Sequence, residues 1–430
     1  MEKKTFKKGI KVPHNKITQA FPLAECPAPE TVYIPMSQHI GKPAVPCVSV
    51  GQKVKAGTAV GRADGFVSAD VFSSVSGTVK AIERRRTPNG ACTHVVVEND
   101  GLYEVESLPK LTEFDKNSLI KRMKDAGLVG MGGAGFPSHV KYAPKTPVDM
   151  FVINAAECEP YITCDHRLIV EHAESILKGA EYLTKALGLD EFYIGIEDNK
   201  PDAVSELNRA AEKLGINVKV TVLKSKYPQG AEKQLIYAVT HRKVPRGGLP
   251  ADVGVVVGNV HTAYAMYDAV TNGTPLYRRA VTVTGAVNKP SNLWVRTGTL
   301  FSDLVDFCGG TTGEVVKTLS GGPMMGAALD GTDYSVTKTS GALLFLNKEQ
   351  SESVQPQRCI NCGKCAKACP MNLMPMYIDA YTLAGDYATA KRYGALDCIE
   401  CGCCAYVCPA KRTLVQSVKL AKKKIKENGL

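Results

Sequence analysis

Two runs near the end of the chain, "CINCGKCAKACP" at 359–370 and "CIECGCCAYVCP" at 398–409, constrain its fold more than any other feature. Each reads C-x2-C-x2-C-x3-C-P. Three thiolates at this spacing wrap one corner of a cubane 4Fe-4S cluster, whereas the fourth, followed by proline, turns away to serve a second cluster. The spacing therefore predicts a cross-over. One cluster takes Cys359, Cys362, Cys365 and Cys408, and the other takes Cys398, Cys401, Cys404 and Cys369. Structural zinc is the competing reading, but zinc sites seldom repeat this triple spacing with a terminal Cys-Pro. Cys403 lies inside the second run out of ligand register and is left out of the set.

The segment between the runs carries apolar residues at Leu373, Met376, Tyr377, Ala380, Tyr381 and Ala384, a helical spacing. A helical ferredoxin-type module over 351–412 follows, with its methionines and tyrosines expected to pack around the clusters. Two adjacent clusters make a wire that moves one electron at a time. Something must stand at each end of it.

A chain of 430 residues holds roughly two to four domains at about 100 to 200 residues each. Its 15 cysteines, eight of them at metal-ligand spacing in the two runs, argue for metal binding in a reducing compartment rather than for a disulfide framework. The net charge of +11 is concentrated at the ends: Lys3, Lys4, Lys7, Lys8, Lys11 and Lys16 at the start, and "KLAKKKIKE" near the finish. A basic N-terminal segment over 1–28 and a basic C-terminal helix or tail over 413–430, solvated, are one reading, and contact with anionic lipid or an acidic protein is the other. Nucleic acid is not expected, because no aromatic residues interleave with the lysines. No apolar stretch approaches the roughly 18 to 20 residues of a spanning helix, and no apolar segment follows the charged N-terminus.

Upstream of the clusters, 29–105 reads as short strands punctuated by glycine, with two similar halves around "VGQKVKAGTAVG" and "VSGTVKAIE". This is the pattern of a barrel-sandwich hybrid of the lipoyl or biotinyl kind. Its tip, "DGFVSADVFSS", has no lysine for a swinging arm, so a structural or docking role is expected. Over 106–274 strands ("DMFVINAAE", "EFYIGIED", "INVKVTVL", "DVGVVVGNV") alternate with helices, predicting a doubly wound, Rossmann-like parallel sheet with ligands at the carboxyl ends of its strands. The loops "NAAECEPYIT", "IEDNK" and "GNVHT" then matter most. A hairpin and helix over 275–350 suggest a β-grasp domain, with Trp294 in its core and Gly309-Gly310 at a turn.

One stretch stands out ahead of the first of those strands: "GLVGMGGAGFPSHVK" at 127–141. Glycine leaves no Cβ in the way, so peptide N–H groups can approach a compact anion. The loop does not match G-x-G-x-x-G following a strand, so it is not the dinucleotide fingerprint. A plain surface turn is the alternative.

The order of sandwich module, "GMGGAGFPSHVK", "NAAECEPYITCDHR", β-grasp and paired cysteine runs resembles the RnfC family of Rnf electron-transport complexes, similar in its core to the flavin-bearing NADH subunit of respiratory complex I. The resemblance implies a multidomain α/β protein with a barrel-sandwich hybrid, a Rossmann-like flavin domain, an SLBB-like β-grasp domain and a helical two-cluster domain. It implies a peripheral subunit on the cytoplasmic face of the cell membrane that exchanges electrons between NAD(H) and ferredoxin through FMN and two 4Fe-4S clusters. Its partners would be the integral-membrane and iron–sulfur subunits of an ion-translocating complex, with ferredoxin reached indirectly.

On matching positions, Gly130, Gly132, Gly133 and Gly135 would approach the FMN, with Lys141 as a countercharge. Asn154, Glu157 and Glu159 would line flavin and nicotinamide, Phe136 would stack on the nucleotide, and Asn259 and Thr262 would contact the FMN phosphate or ribityl chain. The complex I relative has "NADEGEP" where this chain has "NAAECEP", so an acid is missing at Ala156.

Chemistry agrees with this reading. A nicotinamide gives two electrons as hydride and a cluster accepts one, so a flavin is needed between them. On spacing alone Glu157 and Glu159 fit solvated strand-end carboxylates equally well, and Cys158 and Cys164 read as buried thiols. A related flavin and iron–sulfur reductase, serving cobalamin or an amino-acid reductase, and a flavin-free electron-carrying adaptor remain as alternatives.

Overall fold

The computed structural model describes residues 3–88, 90–351 and 355–430. Its centre is a four-stranded sheet of Met150–Ala155, Phe192–Glu197, Val218–Leu223 and Val255–Asn259. All pairs are parallel, and the spatial order is third, second, first, fourth. Strand alternation sends Phe151, Ile153 and Ala155 into one core and Val152 into another, so both faces need cover. The helices Cys164–Leu187 and Val260–Thr271 cover the first face, and the helix Glu232–Thr240 covers the second. The expected helix after the second strand runs Pro201–Leu214, opened by its proline and closed by Gly215 at φ +63°. The strand order reverses between Met150–Ala155 and Val255–Asn259, which opens a crevice at their carboxyl ends.

The barrel-sandwich module has sheets of four and three strands around a valine-rich core, and its long hairpin pairs Gly77–Thr87 with Gly90–Asn99. Its tip residue Phe66 is exposed. The β-grasp sheet is six-stranded, with the helix Phe301–Phe307 packed against it. One edge is the strand Leu23–Glu25, which pairs in parallel with Ser291–Arg296. The segment set apart as 1–28 is therefore built into the fold. Its apolar residues Phe6 and Ile10 are buried, Lys4 bridges to Leu223 and Ile10 to Tyr227, and Gly9 N–H donates to the Ala368 carbonyl (3.1 Å).

The cluster module is helical, with Pro375–Leu383, Tyr387–Arg392 and Leu414–Glu427 packed together. The last helix is amphipathic, burying Val418, Ala421 and Ile425, so 413–430 is not a free basic tail. The linker helix buries a different face from the one its apolar residues predict: Pro375, Ile378, Asp379 and Thr382 face inward while Tyr377 is exposed. Asp379 sets this phase. Its carboxylate accepts from Arg412 Nε (2.7 Å) and Ser417 Oγ (2.6 Å), and an aspartate with both partners waiting inside outweighs a tyrosine that packs equally well on Tyr393.

Gly179 marks the closest approach of the helices Cys164–Leu187 and Val260–Thr271, because a Cβ there would overlap the Ala263 carbonyl oxygen. Gly179→Ala should destabilise the domain by about 1–3 kcal/mol through overpacking, read as a lower urea midpoint at unchanged m.

Candidate electron-transfer site

The two cysteine runs fold alike. In each, the second and fourth residues after the first cysteine adopt left-handed backbone: Asn361 (φ +54°) and Gly363 (+71°), then Glu400 (+57°) and Gly402 (+79°). Short helices follow at Lys364–Ala368 and Cys403–Tyr406. The third residue after each Cys-Pro cysteine, Asn372 or Lys411, is left-handed as well, so the chain turns away there. The result is two apolar cavities. Cys359, Cys362, Cys365 and Cys408 line one, and Cys369, Cys398, Cys401 and Cys404 line the other.

Backbone N–H groups of Leu373 and Glu400 point at Cys369 Sγ and Cys398 Sγ (both 3.3 Å), the donor pattern that steadies cluster sulfur. Four thiols around each apolar space fit a cubane. Cys403, out of register, is fully buried and also lines the second cavity.

At the crevice of the parallel sheet, Asn154 and Asn259 are register partners on adjacent strands. Asn154 Nδ2 donates to the Gly230 carbonyl (2.8 Å), and Asn259 Nδ2 donates to Asp165 Oδ2 (2.7 Å) while its Oδ1 caps His261 N–H. The glycine loop is pinched at its neck by a bridge between Val129 and Pro137 and by Gly130 N–H on the Phe136 carbonyl (2.9 Å). Thr262 is buried, and its hydroxyl accepts from Met131 N–H (3.0 Å). It holds the loop and has no free face for a ribityl chain.

A Cβ on Gly132 would run into the Asn259 side chain, and Gly135, at φ +74°, sits against Thr339, His39 and Gln38. Gly133 faces open space. The N–H groups of Gly132, Gly133, Ala134 and Gly135 have no partner among the described residues. A turn with four unspent donors and a bare floor fits an anionic group such as the FMN phosphate. Phe136 is half-buried at the loop's end, while Lys141 is ion-paired with Glu232 (3.0 Å).

The two glutamates of "NAAECEP" are half-buried and committed to different neighbours. Glu157, at φ +45°, turns its carboxylate onto the N–H groups of Asp165 (2.7 Å) and His166 (3.3 Å), capping the helix Cys164–Leu187. Glu159 accepts from the N–H groups of Met324 (3.2 Å) and Met325 (2.8 Å) in the β-grasp domain. Desolvation lifts both carboxyls to about 7, against the pull of Lys16. Solvated strand-end carboxylates they are not. Cys164 is buried and donates to the Gly341 carbonyl (3.3 Å), and burial pushes Cys158 up to about 12, so neither is a poised thiolate.

Two residues without a sequence motif organise this loop. The Lys16 ammonium, 4% exposed, donates to the carbonyls of Glu157 (2.8 Å), Glu159 (3.1 Å) and Ile162 (2.6 Å), with Glu157 Oε2 at 3.8 Å. Tyr227 bonds through its backbone to Ile10 in both directions, and its hydroxyl donates to the Cys401 carbonyl (2.8 Å) and lies 3.5 Å from Glu159 Oε1.

Domain families match along the chain in the order seen: RnfC barrel sandwich hybrid at 4–102, Nuo51 FMN-binding domain at 123–268, SLBB domain at 280–328 and 4Fe-4S dicluster domain at 352–409. The RnfC-type subunit of the proton-translocating ferredoxin:NAD(+) oxidoreductase complex of Clostridium ljungdahlii is 45% identical, over 99% of this chain and 95% of that protein. Its counterpart in the Na(+)-translocating complex of Acetobacterium woodii is 46% identical, over 98% and 97%. This chain belongs to the RnfC family. In fold, it also resembles an NAD+-reducing [NiFe]-hydrogenase in the H2-reduced state, with a TM-score of 0.53 at 17% identity over 73% of this chain and 61% of that one.

Within this RnfC framework, the fold class and the FMN and paired 4Fe-4S cofactors stand as the sequence implied. Lys16 and Tyr227 lay hidden for a simple reason. Lys16 sits in a lysine-rich stretch that reads as solvated, and a lone tyrosine ahead of Pro228 carries no motif.

Lys16→Met keeps most of the stem and removes the charge, leaving the carbonyls of Glu157, Glu159 and Ile162 without the ammonium donor and the Glu157 carboxylate without its nearby cation. The loss should approach about 3 kcal/mol, a fall in Tm of about 6 °C or more. Glu157 is stabilised in its protonated form by burial, so its contribution is full at low pH and lost as pH rises through about 7. Without Lys16 to oppose burial, the deficit of the variant should widen between pH 6 and 8 in calorimetry. An equal deficit at both pH values would rule out the pairing.

Proposed function

We propose that this chain is the electron-exchange subunit of an ion-translocating ferredoxin:NAD+ oxidoreductase complex, with the glycine loop cradling FMN and the eight cysteines holding two clusters in the crossed arrangement. The observation that carries the reading is a pair of four-thiol cavities, one of which meets the strand-end loops through Tyr227. When bound, FMN accepts hydride from NADH and passes electrons singly, and each cluster carries one at a time.

The chain's own residues divide the work. Gly132 to Gly135 offer N–H groups to the phosphate, and Thr262 fixes the neck of their loop. Asn154 and Asn259 shape the crevice from the strand ends, and Phe136 borders it for the nucleotide. Glu157 and Glu159 act as positioning residues for the loop between flavin and cluster. Lys141 balances Glu232, and a bound phosphate would compete for that ammonium. Cys359, Cys362, Cys365 and Cys408 would ligate the outer cluster, and Cys369, Cys398, Cys401 and Cys404 the inner one. The wall of the inner cavity is the one joined to the flavin domain, through Tyr227, so a cluster held there would be the nearer acceptor for electrons from the flavin. The membrane-bound and iron–sulfur subunits of the complex lie beyond the outer one.

No helix among the described residues is long and apolar enough to cross a membrane. In this reading the subunit is peripheral, held at the cytoplasmic face by those partners. Anaerobic reconstitution should yield FMN and about eight irons per chain. Gly133→Val should fold, since nothing lies within 4 Å of its Cβ, and retain its irons while losing flavin and NADH bleaching. Retained flavin would reduce the loop to a turn.

A further inference from the structure

The two cavities differ in what covers them. Around the inner one, Tyr227, Met324 and the helix Leu414–Glu427 close the approach, and Glu400 is paired with Lys422 (2.7 Å) and Lys419 (3.9 Å). Around the outer one, Cys362 is exposed and Ile360, between two ligand positions, is 65% exposed. From Gln355 to Ile378 the chain has no aspartate or glutamate. The next acid, Asp379, is buried against Arg412 and Ser417. Arg358, Lys364 and Lys367 are exposed and form no ion pair among the described residues. Lys8 joins them, because its ammonium reaches the Ala366 carbonyl (3.2 Å) in the same short helix.

An exposed isoleucine beside a ligand thiol, ringed by uncompensated cations, has the layout of a docking patch with an apolar centre and a charged rim. We infer that the face formed by Ile360, Arg358, Lys364, Lys367 and Lys8 is an electron-exchange port that docks an acidic protein surface bearing a one-electron centre. This rests on the electron-transfer reading above. A protein occupant is favoured over an anionic membrane because Arg358, Lys364 and Lys367 lie within a few residues of the ligand thiols rather than along a long amphipathic face, and a single exposed isoleucine offers little to insert into lipid.

The probe is an acidic plant-type ferredoxin, with basic cytochrome c as its charge opposite. Calorimetric titration of oxidised ferredoxin into the reconstituted full chain should show binding that weakens as salt rises to about 0.3 M, where screening is short-ranged. The double variant Lys364→Glu/Lys367→Glu should weaken ferredoxin binding about tenfold, flatten the salt dependence and strengthen binding of cytochrome c. Dithionite-reduced ferredoxin should also drive NAD+ reduction, two ferredoxins each losing one electron and one proton coming from solvent per NADH formed. That rate should fall in the variant while NADH bleaching of flavin is unchanged.

Ferredoxin affinity equal in variant and wild type overturns the port. So does co-sedimentation with phosphatidylglycerol vesicles that the variant loses while its ferredoxin affinity stays put, which would assign the face to lipid. Failure of NADH to bleach wild-type flavin would instead count against the electron-transfer reading, and the binding titrations would still judge the port.

Discussion

The hydroxyl of Tyr227 on the Cys401 carbonyl is the contact on which the rest of the arrangement depends. Electron tunnelling falls steeply with distance, so a flavin crevice in one domain and a cluster in another are useful only if their separation is fixed. Tyr227 fixes it from several sides. Its backbone is laced to Ile10 of the N-terminal segment, its hydroxyl reaches the cluster loop, and Glu159 beside it is tied to the β-grasp backbone. Four parts of the chain thus close on one buried ring.

The same economy appears in the buried cations. Lys16 holds the carbonyls of Glu157, Glu159 and Ile162, and Lys200 holds that of Ala156 (2.6 Å). Lys338 donates to the carbonyls of Asp70 (2.5 Å) and Gly127 (2.7 Å), and Arg279 to those of Met131 (3.4 Å) and Lys338 (2.7 Å). Burying an ammonium is costly, and burial pulls Lys338 down to about 7. The return is geometric. Lys200 bonds within the α/β domain, whereas Lys16, Lys338 and Arg279 each reach from one part of the chain to the main chain of another, so the sandwich, α/β and β-grasp domains are cross-linked at the edges of the glycine and acid loops.

Strands, helices and the cysteine pattern were legible because each is local. An apolar run ending in a polar loop marked Met150–Ala155, Pro201 and Gly215 bounded a helix, and thiol spacing anticipated which four cysteines share a cavity. The phase of Pro375–Leu383 was not legible, since Asp379 is buried only because Arg412 and Ser417, far along the chain, meet it. Thr262 and the two glutamates lie in loops that the sequence singles out, but their partners are residues the chain brings together only in three dimensions. Basic termini misled for the same reason: lysines such as Lys16 look solvated until the carbonyls they will meet are known.

The carbonyl-binding cations also bear on the proposal that the glycine loop is a cradle and not merely a bend. A peptide whose oxygen is held by a buried positive charge is polarised so that its N–H end becomes a better donor. Arg279 on the Met131 carbonyl acts on the peptide whose N–H is that of Gly132, and the N–H groups of Gly132 through Gly135 have no partner among the described residues. Removing the glycines would block the space. Removing the cations would leave the space and weaken its pull on an anion, so the bare loop and the charged seam behind it act as one device.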